Sequence, residues 1–504
     1  MLSGQRPLDR HPLVVVTNRE PYIDERVGQG IRTVQSAGGV VAALDPLLQE
    51  HGGYWVAWGS GSADFQAAPD GRRQVPPRNP RYTLCRVALS PEEVEGYYAS
   101  YSNQGLWPLS HLLIERAHFS REAYGFYAAV NRKFAQAAAR VAPRRAWVFS
   151  HDYQLALFPA ALKRARPDLT IAHFWHIPWA PFTVFRLCPH YRALLEGLLG
   201  ADVLGFQTGG DVFHFLNAVQ RTFPEAVVDR ELGVVTWNRH TTRVSAFPVS
   251  VDYAAIRELA LSRRVSRMAR GLRRQLAHAD LQLVVAVDRA DYTKGILHRL
   301  EALADFLERY PAWHRRFVLL QVVVPTRTEV DEYRDLFTEV LRRTRALNEE
   351  WGRDGWQPVV TIRRSLDRAR LTALFRAADV ALVSSLFDGM NLVAKEFVAA
   401  QVDRRGVLLV SESAGASEEL TDAFPVNPLD PEGMAATLDE ALRLPPAERA
   451  ARLGRMQAYL SRHNVYTWLQ DILDALEEAS LNPSWLTTDA ETSPSLIGES
   501  WTDS

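Results

Sequence analysis

Cysteine is nearly missing from this 504-residue chain: Cys85 and Cys188 are the whole supply. Two are too few for a disulfide framework, which points to a reducing cytoplasm. An excess of charge of one sign is missing too. Lys plus Arg number 58 and Asp plus Glu 59, so no global field draws the chain to DNA, RNA or a membrane surface. Long apolar runs are absent. The basic N-terminal stretch MLSGQRPLDRHPLVVV holds only four consecutive apolar residues before Thr17 and Asn18, too short for a signal peptide, and no later run reaches membrane-spanning length. Three chemical signatures are lacking as well. No His/Cys ligand spacing or Asp-x-Asp tripeptide stands at a strand end, so no metal is expected. Neither a Walker A loop nor a G-x-S-x-G elbow occurs, which removes P-loop phosphotransfer and serine acyl transfer. A cytosolic enzyme or binding module remains, with small molecules as its partners.

What is present is a soluble globular composition, 47% hydrophobic and 23% charged, long enough for two or three domains. Short apolar runs alternate with helix-period segments, the pattern of parallel sheets flanked by helices. Strands are expected at Leu13–Thr17, Tyr54–Trp58, Trp147–Ser150, Thr170–Trp175, Val203–Phe206 and Arg243–Val249. A second series follows at Leu281–Val287, Phe317–Val324, Val359–Ile362, Val380–Ser384 and Val407–Ser411. Two such series read as two doubly wound domains, 1–252 and 253–465, with a hinge near Pro248–Tyr253. A helix over 466–480 is expected to pack back on the first domain, and the Ser/Thr-rich tail 481–504 to be disordered.

Ligands of doubly wound sheets lie beyond the carboxyl ends of the strands. Arg19, Asp152, His176, Arg289, Arg327 and Asp388 all fall just after a strand candidate, so two facing sheets bring them to one cleft. The run Asp388-Gly389-Met390-Asn391-Leu392-Val393-Ala394-Lys395-Glu396 joins a strand to a helix start through a glycine turn. It reads either as an anion site, with Glu396 placed to accept from sugar hydroxyls, or as ordinary fold punctuation. Arg289 and Lys294, in Asp288-Arg289-Ala290-Asp291-Tyr292-Thr293-Lys294-Gly295, can bend toward one diphosphate or be a solvated surface pair. With Arg19 and Arg327 they make four cations, against roughly three to four negative charges on a diphosphate plus a phosphomonoester. Asp152 and His176 can hold sugar hydroxyls. Tyr97, Tyr98, Tyr101 and Trp107, with Trp55 and Trp58, are core aromatics or sugar platforms. Gly38-Gly39, after a polar loop over Asp24–Gln35, is a second candidate anion turn.

In combination these segments resemble the trehalose-6-phosphate synthase family of retaining, nucleotide-sugar-dependent glycosyltransferases. The family's motifs recur here in order: Asn18-Arg19, Gly38-Gly39, Leu106-Trp107-Pro108, His151-Asp152-Tyr153, His176-Ile177-Pro178, Gly205-Phe206-Gln207-Thr208, Asp291-Tyr292-x-Lys294-Gly295 and the run from Asp388 to Glu396. The likeness spans about Val14 to Leu476. It implies two Rossmann-like domains facing across a cleft, the glycosyltransferase B arrangement, and a role in trehalose synthesis and osmoprotection. By the resemblance, Arg289 and Lys294 meet the donor diphosphate, and Asp388 with Gly389, Met390, Asn391, Leu392 and Val393 holds the donor glucose and its phosphate. Glu396 takes the ribose, and Gly39 lies near the donor phosphates. Arg19, Tyr98, Trp107 and Arg327 form the acceptor-phosphate pocket. Asp152 and His176 sit on the sugars at the reacting centre, with Trp58 close by.

The resemblance implies glucosyl transfer from UDP-glucose to glucose 6-phosphate, with no cofactor beyond that co-substrate; a homo-oligomer is compatible with it. The chain departs from the family pattern at three places. Thr183 takes an acidic position after His176-Ile177-Pro178, Glu20-Pro21-Tyr22 replaces Leu-Pro or Ile-Ala, and Phe387 replaces an arginine. The first two lie toward the acceptor. The alternatives are therefore a glucosylglycerol-phosphate synthase or related transferase, and a non-catalytic sugar-phosphate sensor. The nucleobase of the donor is not legible in the sequence.

Overall fold

The computed structural model describes residues 7–36, 39–275, 281–327 and 330–481. A ten-stranded sheet is built from β1 (Leu13–Arg19), β4 (Tyr54–Trp58), β5 (Arg72–Val75), β6 (Tyr82–Val87), β7 (Trp147–His151), β8 (Thr170–Phe174), β9 (Val203–Phe206), β10 (Val227–Asp229), β11 (Val234–Trp237) and β12 (His240–Ala246). Its order is β10-β11-β12-β9-β8-β7-β1-β4-β6-β5. The seven strands from β12 to β6 pair in parallel, and antiparallel strands cap both edges. The hairpin β2 (Tyr22–Val27) and β3 (Gly30–Gln35) stands apart. A second, wholly parallel sheet runs β15-β14-β13-β16-β17-β18. Its strands are β13 (Gln282–Arg289), β14 (Phe317–Val324), β15 (Val359–Ile362), β16 (Val380–Val383), β17 (Val407–Ser411) and β18 (Phe424–Val426).

Parallel strands carry helices on both faces and so become nearly all apolar. In β14, FVLLQVVV, even the one polar residue is buried; Gln321 Nε2 is bonded to Thr344 and Thr361 at 3.0 Å each. In each sheet the chain starts in the middle, builds outward, then returns to the other side of its first strand. The reversal falls between β1 and β7 in the first sheet and between β13 and β16 in the second. Such switch points open a crevice at the strand ends. Arg19 and Asp152 follow one, Arg289 and Asp388 the other.

Several expectations change. The loop expected over Asp24–Gln35 is a hairpin, registered from Tyr22↔Gln35 to Val27↔Gly30. Its period-two signal is hidden because the inward residue is charged: Asp24 is fully buried beside Arg73 and Arg86, each at 3.0 Å. Arg86 also meets Glu20 at 2.6 Å and Asp64 at 3.0 Å, all without exposed side-chain surface. Burial, with Asp64 beside it, pushes the Glu20 carboxyl up to about 8 despite Arg86. The strand expected at Arg243–Val249 is shifted to His240–Ala246. The aromatic stretch Val94–Leu106 is a thirteen-residue π-helix, whose wider turns send Tyr97 to Asn18 and Tyr98 to Arg19. The tail expected to be disordered lies outside the described residues save Leu481.

The helix Val465–Leu481 crosses back to the first sheet, where Trp468 (2% exposed) meets Phe174 edge-on at 5.4 Å and Phe149 at 6.0 Å. No helix among the described residues is long and apolar enough to cross a membrane. Emptying the Trp468 site should leave a cavity under the sheet. Trp468→Ala is expected to lose about 3–5 kcal/mol, read as a lowered urea midpoint; an unchanged midpoint would show that this helix is not part of the folded core.

Candidate active site

The two switch points face one cleft of about 470 Å³. One wall is Asp152, His176 and Trp107 from the first sheet's side. The other is Arg289, Lys294 and the run Asp388–Val393 with Glu396. Of the expected residues, Arg19, Trp58, Tyr98 and Arg327 are not among those lining this cavity, and Arg327 packs on Trp107, which is. Gly39 opens the helix Gly39–His51; Gly38 lies outside the described residues.

The turn after β16 is held by its own side chains. Asn391 takes a positive φ of 78° and caps the helix Leu392–Ala400, its Oδ1 accepting from Ala394 N–H at 3.1 Å. Its Nδ2 donates to Asp388 Oδ2 at 3.0 Å. The amides of Leu392 and Val393 have no intrahelical acceptor and carry the positive end of the helix dipole. Met390 gives the site only backbone, since its side chain is 3% exposed and part of the core. Gly389 is glycine of necessity: a Cβ there would collide with the His176 carbonyl oxygen.

Lys294 donates to Asp388 at 2.6 Å, and both side chains keep little exposure, 13% and 14%. Burial would raise the Asp388 carboxyl, but Lys294 and Asn391 hold it below its ordinary range. Of the four cations counted from the sequence, two are paired with carboxylates of the protein. Arg327 pairs with Asp291 at 3.3 Å as Lys294 does with Asp388, whereas Arg19 and Arg289 form no ion pair with a described residue.

The residues expected to form the acceptor-phosphate pocket make one cluster. Arg327 stacks over Trp107 at 4.2 Å and over Tyr333 at 5.1 Å. Arg19 donates to the Tyr98 hydroxyl at 3.1 Å, and Trp58 packs on the Tyr98 ring at 5.9 Å. Burial would lift the Tyr98 phenol, but the guanidiniums of Arg19 and Arg327 hold it below its usual value. Two cations and a phenol so arranged can grip a phosphomonoester. Sequence reasoning missed Tyr153, whose hydroxyl lies 3.4 Å from Arg327, and Tyr333, which Arg327 also bonds. Tyr153 and Asp291 stood within quoted motifs; Tyr333, on a long helix, had no signal.

Asp152 adopts φ 75°, a conformation that non-glycine residues hold only under constraint. Its N–H donates to Phe174 O at 2.7 Å and its Oδ1 accepts from His176 N–H at 3.1 Å. Burial pushes this carboxyl up to about 7, against the backbone bonds and the arginines. Burial alone drops His176 to about 3. Glu396 rises to about 7 by burial, with Arg368 opposing, and no described side chain bonds it. Among the described residues no three His, Cys, Asp or Glu side chains gather to hold a metal ion.

The family model for glycosyltransferase family 20 matches residues 11–478. A trehalose-6-phosphate synthase of Mycobacterium avium (strain 104) is 40% identical over 474 residues, covering 92% of this chain and 95% of that protein. An alpha,alpha-trehalose-phosphate synthase (UDP-forming) from Burkholderia xenovorans, solved in complex with glucose-6-phosphate, superposes with TM-score 0.83 at 32% identity, covering 92% of this chain and 100% of that one. A trehalose-6-phosphate structure from E. coli bound with UDP-2-fluoro glucose gives TM-score 0.83 at 31% identity, covering 93% and 99%. With both sheets, the cleft and nearly every residue between 11 and 478 accounted for, the chain belongs to glycosyltransferase family 20.

Proposed function

We infer that this chain is an alpha,alpha-trehalose-phosphate synthase, moving glucose from UDP-glucose to glucose 6-phosphate with retention and releasing trehalose 6-phosphate and UDP. The observation that carries the reading is one cleft in which Arg289, with no ion pair among the described residues, and a helix N-terminus face Asp152 and His176, with the Arg19–Tyr98–Arg327 cluster reaching Trp107 through Arg327. The first pair suits a diphosphate, the middle pair sugar hydroxyls, and the cluster a phosphomonoester. That distribution of charge matches a nucleotide-sugar donor and a sugar-phosphate acceptor. The cytoplasm belongs to the reading, in keeping with two free, buried thiols.

In this reading the bond from glucose C1 to the diphosphate oxygen breaks, and a bond from C1 to the acceptor hydroxyl oxygen forms on the same face. The hydroxyl proton passes to the departing diphosphate. The protein supplies position and charge. Arg289, Lys294 and the amides of Leu392 and Val393 stabilise the leaving phosphates, while Asp388 and Asn391 hold the donor glucose. Glu396 accepts from the ribose, and Asp152 and His176 orient sugar hydroxyls. Lys294 reaches the phosphates by exchanging part of its bond to Asp388.

The reading is tested by a panel of phosphorylated acceptors crossed with UDP-, GDP- and ADP-glucose. Glucose 6-phosphate with UDP-glucose is expected to give the highest kcat/KM; turnover of glycerol 3-phosphate alone, or of nothing, refutes it. Arg289→Ala should lower kcat on the order of 10²–10³-fold, as when one preorganised donor is lost. A variant with near-full kcat removes Arg289 from the leaving-group site. The pH profile gives a third check. A carboxyl raised to about 7 is protonated below that pH and ionised above it. The kcat/KM for the acceptor is therefore expected to fall as pH drops below about 7. Asp152→Asn should flatten that limb as well as lower the plateau, and a limb that persists in the variant reassigns it.

A further inference from the structure

His151, His173 and His176 lie together at the ends of β7 and β8, yet the transfer chemistry uses only the last. His151 Nδ1 is 3.0 Å from His176 Nε2, and the two rings stack at 5.3 Å with 25° between their planes. The other side of the His151 ring system belongs to the core: Phe149 packs on it at 4.1 Å, and His151 Nε2 is buried without a partner. His176 Nδ1 bonds no described residue, so it is the ring nitrogen left to the cleft that His176 lines. Burial holds both imidazoles far below their usual range, and each ring therefore carries a single proton at neutral pH.

One proton lies between the two rings, and it has two arrangements. If His176 gives Nε2–H to His151, the single proton of His151 must sit on its own Nε2, as a buried N–H with no acceptor. If His151 gives Nδ1–H to His176, its Nε2 is a bare lone pair instead. Orphaned buried N–H groups are rarer than under-satisfied acceptors, so the second arrangement is the favoured one. The neighbouring ring follows the same rule. Ser150 Oγ donates to Ala172 O at 3.2 Å, so it must accept from His173 Nδ1 at 2.9 Å, which leaves His173 Nε2 bare among apolar neighbours.

We propose that His151 is a positioning residue that donates from Nδ1 to His176 Nε2 and fixes His176 as the Nδ1–H tautomer. His176 then presents a hydrogen-bond donor to the cleft, and its only lone pair is occupied. Its ligand is an oxygen with lone pairs to offer, a hydroxyl or ring oxygen of the sugar, and it cannot take a proton from the acceptor. The kinetic side of this inference rests on the glucosyl-transfer reading above, whereas the tautomer is a property of the resting protein.

The two parts are tested separately. In protein labelled with nitrogen-15 histidine and free of substrate, the His176 signals, identified by their loss in His176→Gln, are expected to show a protonated Nδ1 and a bare Nε2. A protonated Nε2 overturns the proposal whatever the activity. The kinetic test compares two isosteric variants, since the Asn amide can take the place of the Nδ1 donor and the Asp carboxylate cannot. His151→Asn should keep at least about a tenth of kcat, and His151→Asp should lose on the order of 10²-fold with His176 switched to Nε2–H. Equal kcat in the two variants sinks the proposal. Absence of turnover in the unmodified protein with every donor and acceptor would instead sink the transferase reading and leave the tautomer result standing.

Discussion

The His176 carbonyl oxygen is the point on which the two halves of the site are aligned. From the second sheet, Gly389 comes so close to it that no side chain fits between. From the first, Gln207 Nε2 donates to it at 3.2 Å. Gln207 then accepts through Oε1 from Val249 N–H at 3.1 Å, in the segment joining β12 to the following helix. Val249 O receives Lys395 Nζ at 2.7 Å, and Lys395, wholly buried, is paired with Glu419. A single hydrogen-bonded line thus runs from the loop after β8 through the segment that follows β12 into the helix capped by Asn391. Breaking a buried ion pair by removing one partner costs about 3–5 kcal/mol, so the line resists local rearrangement.

Electrostatics follow from that alignment. A chain of net charge −1 gathers cations at one cleft without leaving all of them bare. Lys294 and Arg327 are stored against Asp388 and Asp291. Burial would raise Asp291, but Arg327 and Lys294 keep it ionised. Arg289 and Arg19 form no ion pair with a described residue and keep their charge uncompensated there. Burial raises both Asp152 and Glu396 to about 7, with nearby arginines opposing.

Much of this was legible in the chain. The strands Tyr54–Trp58, Val203–Phe206, Phe317–Val324, Val359–Ile362 and Val407–Ser411 appear at the residues expected, because strands of a parallel sheet are mostly apolar runs. The hairpin was not legible, since its inward position is Asp24 and its pattern reads as polar. Nor were the short antiparallel edges, where burial is one-sided and the runs are three or four residues long. For the site, residue types at strand ends could be read, but their pairing could not. Lys294 and Asp388 are 94 positions apart, and only the fold shows that one neutralises the other. Tyr333 reaches Arg327 from a 21-residue helix whose sequence marks it as amphipathic and nothing more.

The returning helix Val465–Leu481 has a consequence for how the protein is made. About 220 residues separate it from the end of β12, the last strand of the first sheet. At synthesis rates of about 5–20 residues per second, roughly ten to forty seconds pass before Trp468 is available to cover Phe149 and Phe174. During that interval Phe149 and Phe174, on the strands that lead to Asp152 and His176, lack that cover. Folding in the order of synthesis therefore leaves Phe149 and Phe174 without their Trp468 contact until the last of the described helices is made.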